Sequence, residues 1–152
     1  MKERHDLKRW ILYTNRHLAA KNKDIFLCGI SMGCATTLMA AGLDLPDNVK
    51  GIIADCGFTS PWDIIKHVAK ERFYLPPFPL MYMVDLISEV VAGFGLKEVS
   101  IPEIMKRNKI PVLFIHGDAD DYVPMWMTIK NYEACAATVS YTHLRAHETE
   151  LH

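Results

Sequence analysis

The sequence lacks a cluster of basic residues and a long apolar segment free of charge, and each absence argues against a class of function. Its 17 Lys and Arg residues are dispersed, and the net charge is −1. A nucleic-acid surface needs clustered cations for the phosphates, so no nucleic-acid partner is predicted. The most apolar stretch, residues 73–96, contains three prolines together with Asp85 and Glu89. Because a membrane span needs about 20 uninterrupted apolar residues, no transmembrane segment is predicted either.

The sequence also lacks paired cysteines and a signal peptide. Its four cysteines include no C-x-x-C pair and lie in or beside predicted strands and helices, where free cysteine acts as a small buried hydrophobe; they are Cys28, Cys34, Cys56 and Cys135. No basic segment followed by a short apolar run opens the chain. Reduced thiols and the missing leader predict a cytoplasmic protein. With 152 residues and 50% hydrophobic composition, the chain is expected to form one domain with a substantial core.

One stretch organises the rest of the sequence. An apolar run of strand length, residues 25–30, leads into the G-x-S-x-G pentapeptide Gly29–Gly33, and a helix-forming run then continues to Gly42. A serine at a sharp strand-to-helix turn has its Oγ pushed outward, and the turn closes only around small neighbours, here the two glycines. The strand is expected to be buried on both faces.

Ser31 is therefore a candidate nucleophile. The helix that follows it aims its N-terminal N–H groups at the same point, so that negative charge on a substrate oxygen would be stabilised there. The backbone N–H of Met32 is the predicted oxyanion donor. The alternative, a tight turn that contains a serine by chance, stays open.

Helices and strands alternate along the chain, which predicts a parallel sheet with helical crossovers. A helix over residues 3–21 places its apolar residues on one stripe, namely Leu7, Trp10, Ile11, Thr14 and Leu18. Buried strands are predicted over residues 25–30, 49–56 and 110–116, with a further helix from residue 124 to about 137.

Residues 61–98 form a predicted excursion from the sheet. Ser60 and Ser100 are each expected to cap a helix, because each precedes a proline at one of the first helical positions and an acid in the first turn. The prolines of residues 75–79 break the chain, and an apolar helix over 80–92 follows. Its surplus of apolar side chains suits either a cap over a pocket or ordinary packing on the core, and both interpretations stay open.

Three segments of the sequence resemble the α/β-hydrolase superfamily, in its serine esterase, lipase and peptidase-like branch. They are residues 29–33, 52–57 and 111–124. The resemblance implies a partial α/β-hydrolase fold in a domain over residues 1–137, with a parallel sheet, flanking helices and a helical cap over about 61–98. It also implies a serine hydrolase that acts on carboxylic esters or related acyl bonds through an acyl-enzyme on Ser31, with a small-molecule acyl substrate and no cofactor.

The family pattern also implies an acid and a base. The second aspartate of its G-D-x-D pattern, which is Asp120 here, would orient the histidine that takes the proton from Ser31. Asp118 and Asp121 compete for that role. A metal site is not expected, because no second cluster of ligands completes one.

The candidate base is His147, with His143 and His152 as alternatives. His116 is interpreted as a structural residue, and His5, His17 and His67 lie on predicted helices away from the carboxyl edge of the sheet. Residues 138–152 lack the glycine-rich histidine loop that the family has, and one hypothesis is that this tail is a foreign read-through.

The early strands of the family and its second oxyanion donor are not found in the chain, so we expect this polypeptide to have little or no activity. A different class of function stays open: a binding module that keeps the hydrolase scaffold without catalysis. A nucleotide-binding domain is disfavoured, because residues 29–33 lack the G-x-G-x-x-G spacing. No oligomeric state follows from the sequence.

Overall fold

Four parallel strands form one sheet. The structure is a computed structural model and describes residues 2–17 and 23–144. In it, the strands lie in the order β1 (Ile25–Ile30), β2 (Val49–Asp55), β3 (Val112–Gly117) and β4 (Val139–Leu144). All three neighbouring pairs are parallel. The predicted parallel sheet is confirmed, and the carboxyl ends of its strands lie at one edge, where such sheets hold their sites.

Six α-helices and one π-helical segment lie around the sheet in the described part of the chain. They are α1 (Glu3–His17), α2 (Met32–Ala40), α3 (Pro61–Glu71), α4 (Pro77–Ile87), which continues as the π-helical segment Ser88–Ala92, α5 (Ile101–Met105) and α6 (Met125–Ala134). At the start of α3, the Ser60 hydroxyl accepts a hydrogen bond from the Asp63 N–H at 3.0 Å, as predicted. Ser100 also lies at the cap position of α5, as predicted, but its side chain makes no capping bond with that helix.

The core lies on one face of β1, and the prediction of burial on both faces is wrong. Leu27 and Gly29 are buried, whereas Phe26 and Ile30 are 64% and 65% exposed. Successive side chains of a strand point to opposite faces, and no described element covers the second face of β1. Trp10 of α1 is likewise 66% exposed, while Ile11 is buried.

The sheet extends beyond residue 137, where the sequence places the end of the domain. β4 begins at Val139, which pairs with Val112 of β3, and the pairing continues to Leu144. The chain after α6 therefore adds a fourth strand at the edge of the sheet. Residues 145–152 lie outside the described residues.

The α4 helix exposes most of its apolar side chains. Met81 is its buried residue, whereas the side chains that face outward from residue 73 to residue 91 are Phe73, Tyr74, Leu75, Phe78, Tyr82, Met83, Leu86, Ile87, Val90 and Val91. Packing on the core, one of the two interpretations of this stretch, is therefore wrong for these residues. The helix begins at Pro77, inside the predicted break, although Phe78 keeps a non-helical backbone.

No helix in residues 2–17 and 23–144 is long and apolar enough to span a bilayer.

Candidate active site

Ser31 occupies the turn between β1 and α2 in a backbone conformation that side chains usually avoid. Its φ is 53° and its ψ is −113°, values that persist only where the surrounding structure enforces them. The Ser31 N–H donates to the Asp55 carbonyl at 2.9 Å, and the Ser31 carbonyl accepts from the Ala35 N–H at 3.0 Å. The side chain makes no capping bond with α2. The backbone is therefore fixed on both sides, and the hydroxyl is not used to start the helix.

The two glycines of the pentapeptide differ in what they do. A Cβ on Gly29 would overlap the backbone oxygen of Gly33 and lie 2.6 Å from the nitrogen of Cys34. A Cβ on Gly33 would meet no described atom within 4 Å. The predicted need for a small residue is confirmed at Gly29 and is wrong at Gly33.

We expect Gly29→Ala to lower the free energy of unfolding of this chain by about 3 kcal/mol, because the added methyl group meets backbone that cannot move aside. The matched control is Gly33→Ala, which lies in α2 and is expected to be neutral or stabilising by about 0.5–1 kcal/mol. Urea unfolding followed by circular dichroism measures both. Equal losses in the two variants would contradict this account of the turn.

Asp120 lies in the loop after β3, and its carboxylate is held by the backbone of that loop. Its Oδ1 accepts hydrogen bonds from the N–H groups of Tyr122 at 2.8 Å and Val123 at 2.9 Å. The competing residues Asp118 and Asp121 are exposed. Of the three acids, Asp120 is the one whose orientation the loop fixes through these bonds.

The edge of the sheet brings Ser31 and Asp120 to the same side of the molecule. β1 ends just before Ser31, β3 ends three residues before Asp120, and β2 lies between these strands. At the end of β2, burial raises the pKa of Asp55, the His116 ring lowers it, and the Asp120 charge raises it again. The charge of the acid loop, which we define as residues 118–124 between β3 and α6, therefore acts on Asp55. The sequence pattern gave Asp55 no role, although it is an acid at the carboxyl end of a parallel strand, where such sheets hold their sites.

The raised pKa of Asp55 predicts a pH-dependent stability. The native state binds this proton more tightly than the unfolded chain does, so stability falls as the pH rises from the ordinary aspartate pKa through the raised one. Asp55→Asn removes this cost, and we expect it to raise Tm at pH 7 by a few degrees and to change it little at about pH 3. Asp47→Asn, at an exposed position, is the control that should change neither. An Asp55→Asn gain that is equal at both pH values would show that the charge is not responsible.

A cavity of about 470 Å³ lies against Asp120. It is lined by His67, Glu71, Arg72, Asp120, Asp121 and Pro124. The Arg72 guanidinium lies 5.3 Å from the centre of the Tyr122 ring, which joins the end of α3 to the acid loop. The prediction that His67 lies away from the carboxyl edge is therefore wrong. Its position follows from how α3 packs, which the spacing of residues within the helix does not reveal.

The remaining predicted residues are placed as follows. Met32 is the first residue of α2, where helix N–H groups have no partner within the helix. His143 lies in β4 opposite His116 of β3. His147 and His152 lie outside the described residues.

All four cysteines are free, but the prediction that they are buried holds only for Cys34. Burial raises the pKa of its thiol well above the ordinary value. Cys28 is exposed, because it lies on the uncovered face of β1. In the described part of the chain, no group of three or more His, Cys, Asp or Glu side chains could hold a metal ion.

The chain matches a known protein family over nearly its whole length. The model of the prolyl oligopeptidase family matches residues 2–152. The uncharacterized protein YqkD of Bacillus subtilis (strain 168) is 34% identical to the chain over 105 residues, which make up 69% of this chain and 34% of that protein. The chain thus spans about a third of the length of this curated relative.

Solved structures share the fold. The esterase domain of a Rhodothermus marinus protein superposes with a TM-score of 0.66 at 17% identity, over 96% of this chain and 58% of that one. The Pyrococcus furiosus esterase Pf2001 superposes with a TM-score of 0.63 at 21% identity, over 95% of this chain and 53% of the esterase chain. The acylaminoacyl peptidase of Pyrococcus horikoshii superposes with a TM-score of 0.59 at 19% identity, over 88% of this chain and 21% of the peptidase chain. These likenesses show an α/β-hydrolase fold.

Proposed function

The chain belongs to the prolyl oligopeptidase family, and from that premise we propose that it is a serine hydrolase acting on carboxylic ester or related acyl bonds. The observation that carries the proposal is the turn at Ser31, where a serine with a φ of 53° stands at the carboxyl edge of the sheet. A strained turn that costs stability is retained where it serves a site. Asp120 follows a strand end on the same edge, which supports a nucleophile and an acid in one site.

In the proposed reaction, the Ser31 Oγ attacks the substrate carbonyl while a histidine takes its proton. The Met32 N–H stabilises the oxyanion of the tetrahedral intermediate. The alcohol or amine then leaves with the proton from the histidine, and the acyl group stays on Ser31. Water attacks the acyl-enzyme while the same histidine takes its proton; the bond from the acyl carbon to Ser31 Oγ then breaks, the histidine returns the proton to Oγ, and the carboxylic acid is released. Asp120 holds the histidine in the correct tautomer, and His147 remains the candidate for that histidine.

The substrate is proposed to carry a hydrophobic acyl or alcohol group. The exposed apolar side chains between residues 73 and 91 support this, since an apolar surface of this extent on a protein usually binds something. Residues 61–98 would then form the cap that contributes this surface. We expect the 152-residue chain by itself to have little or no activity, because the part of the chain that the structure describes offers no identified second oxyanion donor, and removing one donor typically costs about 10²–10³ in rate.

The alternative is a binding module in which Ser31 is only a turn residue. A fluorophosphonate probe separates the two classes, since it reacts with an activated serine and not with an ordinary one. The test uses the full-length gene product, because the chain described here spans only about a third of its curated relative. We expect this product to be labelled on the peptide that contains Ser31, and neither the heat-denatured protein nor Ser31→Ala to be labelled. Folded full-length protein that stays unlabelled would favour the binding module.

A further inference from the structure

His116 is a buried ionisable residue that the proposed reaction does not use. Its side chain is wholly buried at the end of β3. Nδ1 lies 2.7 Å from the Thr128 hydroxyl of α6, and Nε2 lies 2.8 Å from the carbonyl oxygen of Val123 in the acid loop. The ring therefore bridges the sheet, a helix and the loop that carries Asp120.

The hydrogen-bond partners determine where the ring carries its proton. The Val123 carbonyl can only accept, so Nε2 must be the donor. Thr128 Oγ has one proton and two candidate acceptors, His116 Nδ1 and the Gly57 carbonyl at 3.0 Å. Either acceptor can take that proton, and Nε2 carries its hydrogen in both arrangements. The Nε2–H bond to Val123 is the same in both arrangements.

This bond is one link in a short path to the carboxylate. His116 Nε2–H holds the Val123 carbonyl, and the N–H of the same residue donates to Asp120 Oδ1 at 2.9 Å. The second carboxylate oxygen, Oδ2, takes part in neither bond and lies 3.9 Å from Nε2. Fixing Val123 therefore fixes the direction in which Oδ2 points.

We propose that His116 is a positioning residue: its Nε2–H holds the Asp120–Val123 turn so that Asp120 presents Oδ2 to the histidine base. This inference rests on the proposed function, because Oδ2 matters only if Asp120 orients a base. An ordinary structural histidine would contribute to stability alone. A positioning histidine also sets kcat, since a displacement of about 1 Å at a reacting group costs up to about 10²-fold.

Two substitutions separate the ring nitrogens. In His116→Gln, the side-chain amide nitrogen takes the place of Nε2 and still donates to the Val123 carbonyl. In His116→Asn, the shorter amide takes the place of Nδ1 near Thr128, and the bond to Val123 is lost. We expect the full-length Gln variant to keep kcat on p-nitrophenyl acetate within about 5-fold, and the Asn variant to lose about 10²-fold in kcat with KM nearly unchanged. Thr128→Val removes the Nδ1 partner and is expected to lower Tm with little change in kcat. Equal kcat in the Gln and Asn variants would overturn the proposal.

A measurement on the wild-type full-length protein does not depend on activity or on the folding of a variant. In ¹³C,¹⁵N-labelled protein we expect the His116 Nε2–H to exchange slowly with solvent and to show a scalar coupling across the hydrogen bond to the Val123 carbonyl carbon. A rapidly exchanging or uncoupled Nε2–H would overturn the inference even if Ser31 is labelled by the fluorophosphonate. Failure of that labelling with the Nε2–H bond intact would instead show that the proposed function is wrong.

Discussion

Ser31→Ala is expected to lower kcat of the full-length gene product on p-nitrophenyl acetate by about 10⁴–10⁶-fold, because the acyl group then has no oxygen to transfer to. The remaining rate would come from the oxyanion donor and from substrate binding, so KM should change little. The fold should survive, since the backbone of Ser31, and not its hydroxyl, holds the turn through Asp55 and Ala35. Steady-state kinetics together with thermal unfolding measure the two effects separately.

Ser140→Ala is the matched control for this loss. Ser140 is exposed on β4, and its replacement should leave kcat within about 2-fold, as is usual for surface positions away from a site. A Ser31→Ala protein that keeps a tenth or more of the wild-type kcat would contradict a role for this hydroxyl as nucleophile, whatever the fold is.

The local patterns of the sequence were sufficient to predict the order of the strands and helices along the chain. A continuous apolar run, the glycine at position 29 and a helix-forming run predict a strand, a turn and a helix around Ser31, because each depends on neighbours within a few residues. The Ser60 cap is of the same kind, since Ser60 and Asp63 meet within one helical turn. The parallel sheet then follows from the alternation of strands and helices.

Burial and long-range neighbours could not be predicted in this way. Phe26 and Trp10 have apolar side chains that the sequence assigned to the core, yet both are largely exposed. Whether an apolar face is covered depends on an element elsewhere in the fold, and the composition of the strand does not contain that information. The placement of His67 and Asp120 in the lining of one cavity has the same origin, because it follows from how α3 packs after leaving the sheet.

In the acid loop, the sequence and the structure single out Asp120 for different reasons. The resemblance selected Asp120 among the three aspartates of residues 118–121, on the basis of the family pattern. The structure adds a physical distinction, because Asp120 is held by two backbone N–H groups while Asp118 and Asp121 are exposed. A carboxylate held in one direction loses little entropy when it orients a histidine, which an exposed side chain cannot match.

Asp120→Asn is expected to lower kcat of the full-length gene product by about 10⁴-fold with a small change in KM. The asparagine oxygen can still accept the hydrogen bonds from Tyr122 and Val123, so the loop should keep its shape. An amide N–H₂ then replaces Oδ2, and a donor at that position favours the wrong tautomer of the histidine base. The loss therefore arises from proton transfer and not from unfolding, and Tm should fall by no more than a few degrees.

Asp118→Asn and Asp121→Asn are the matched controls, because each makes the same chemical change in the same loop. We expect both to keep kcat within about 3-fold, since neither carboxylate is held towards the site. A large loss in Asp118→Asn with an active Asp120→Asn would move the acid to the first aspartate of the pattern. Losses of similar size in all three would show that the loop responds to its total charge, and the path from His116 through Val123 to Asp120 would then have no specific role in catalysis.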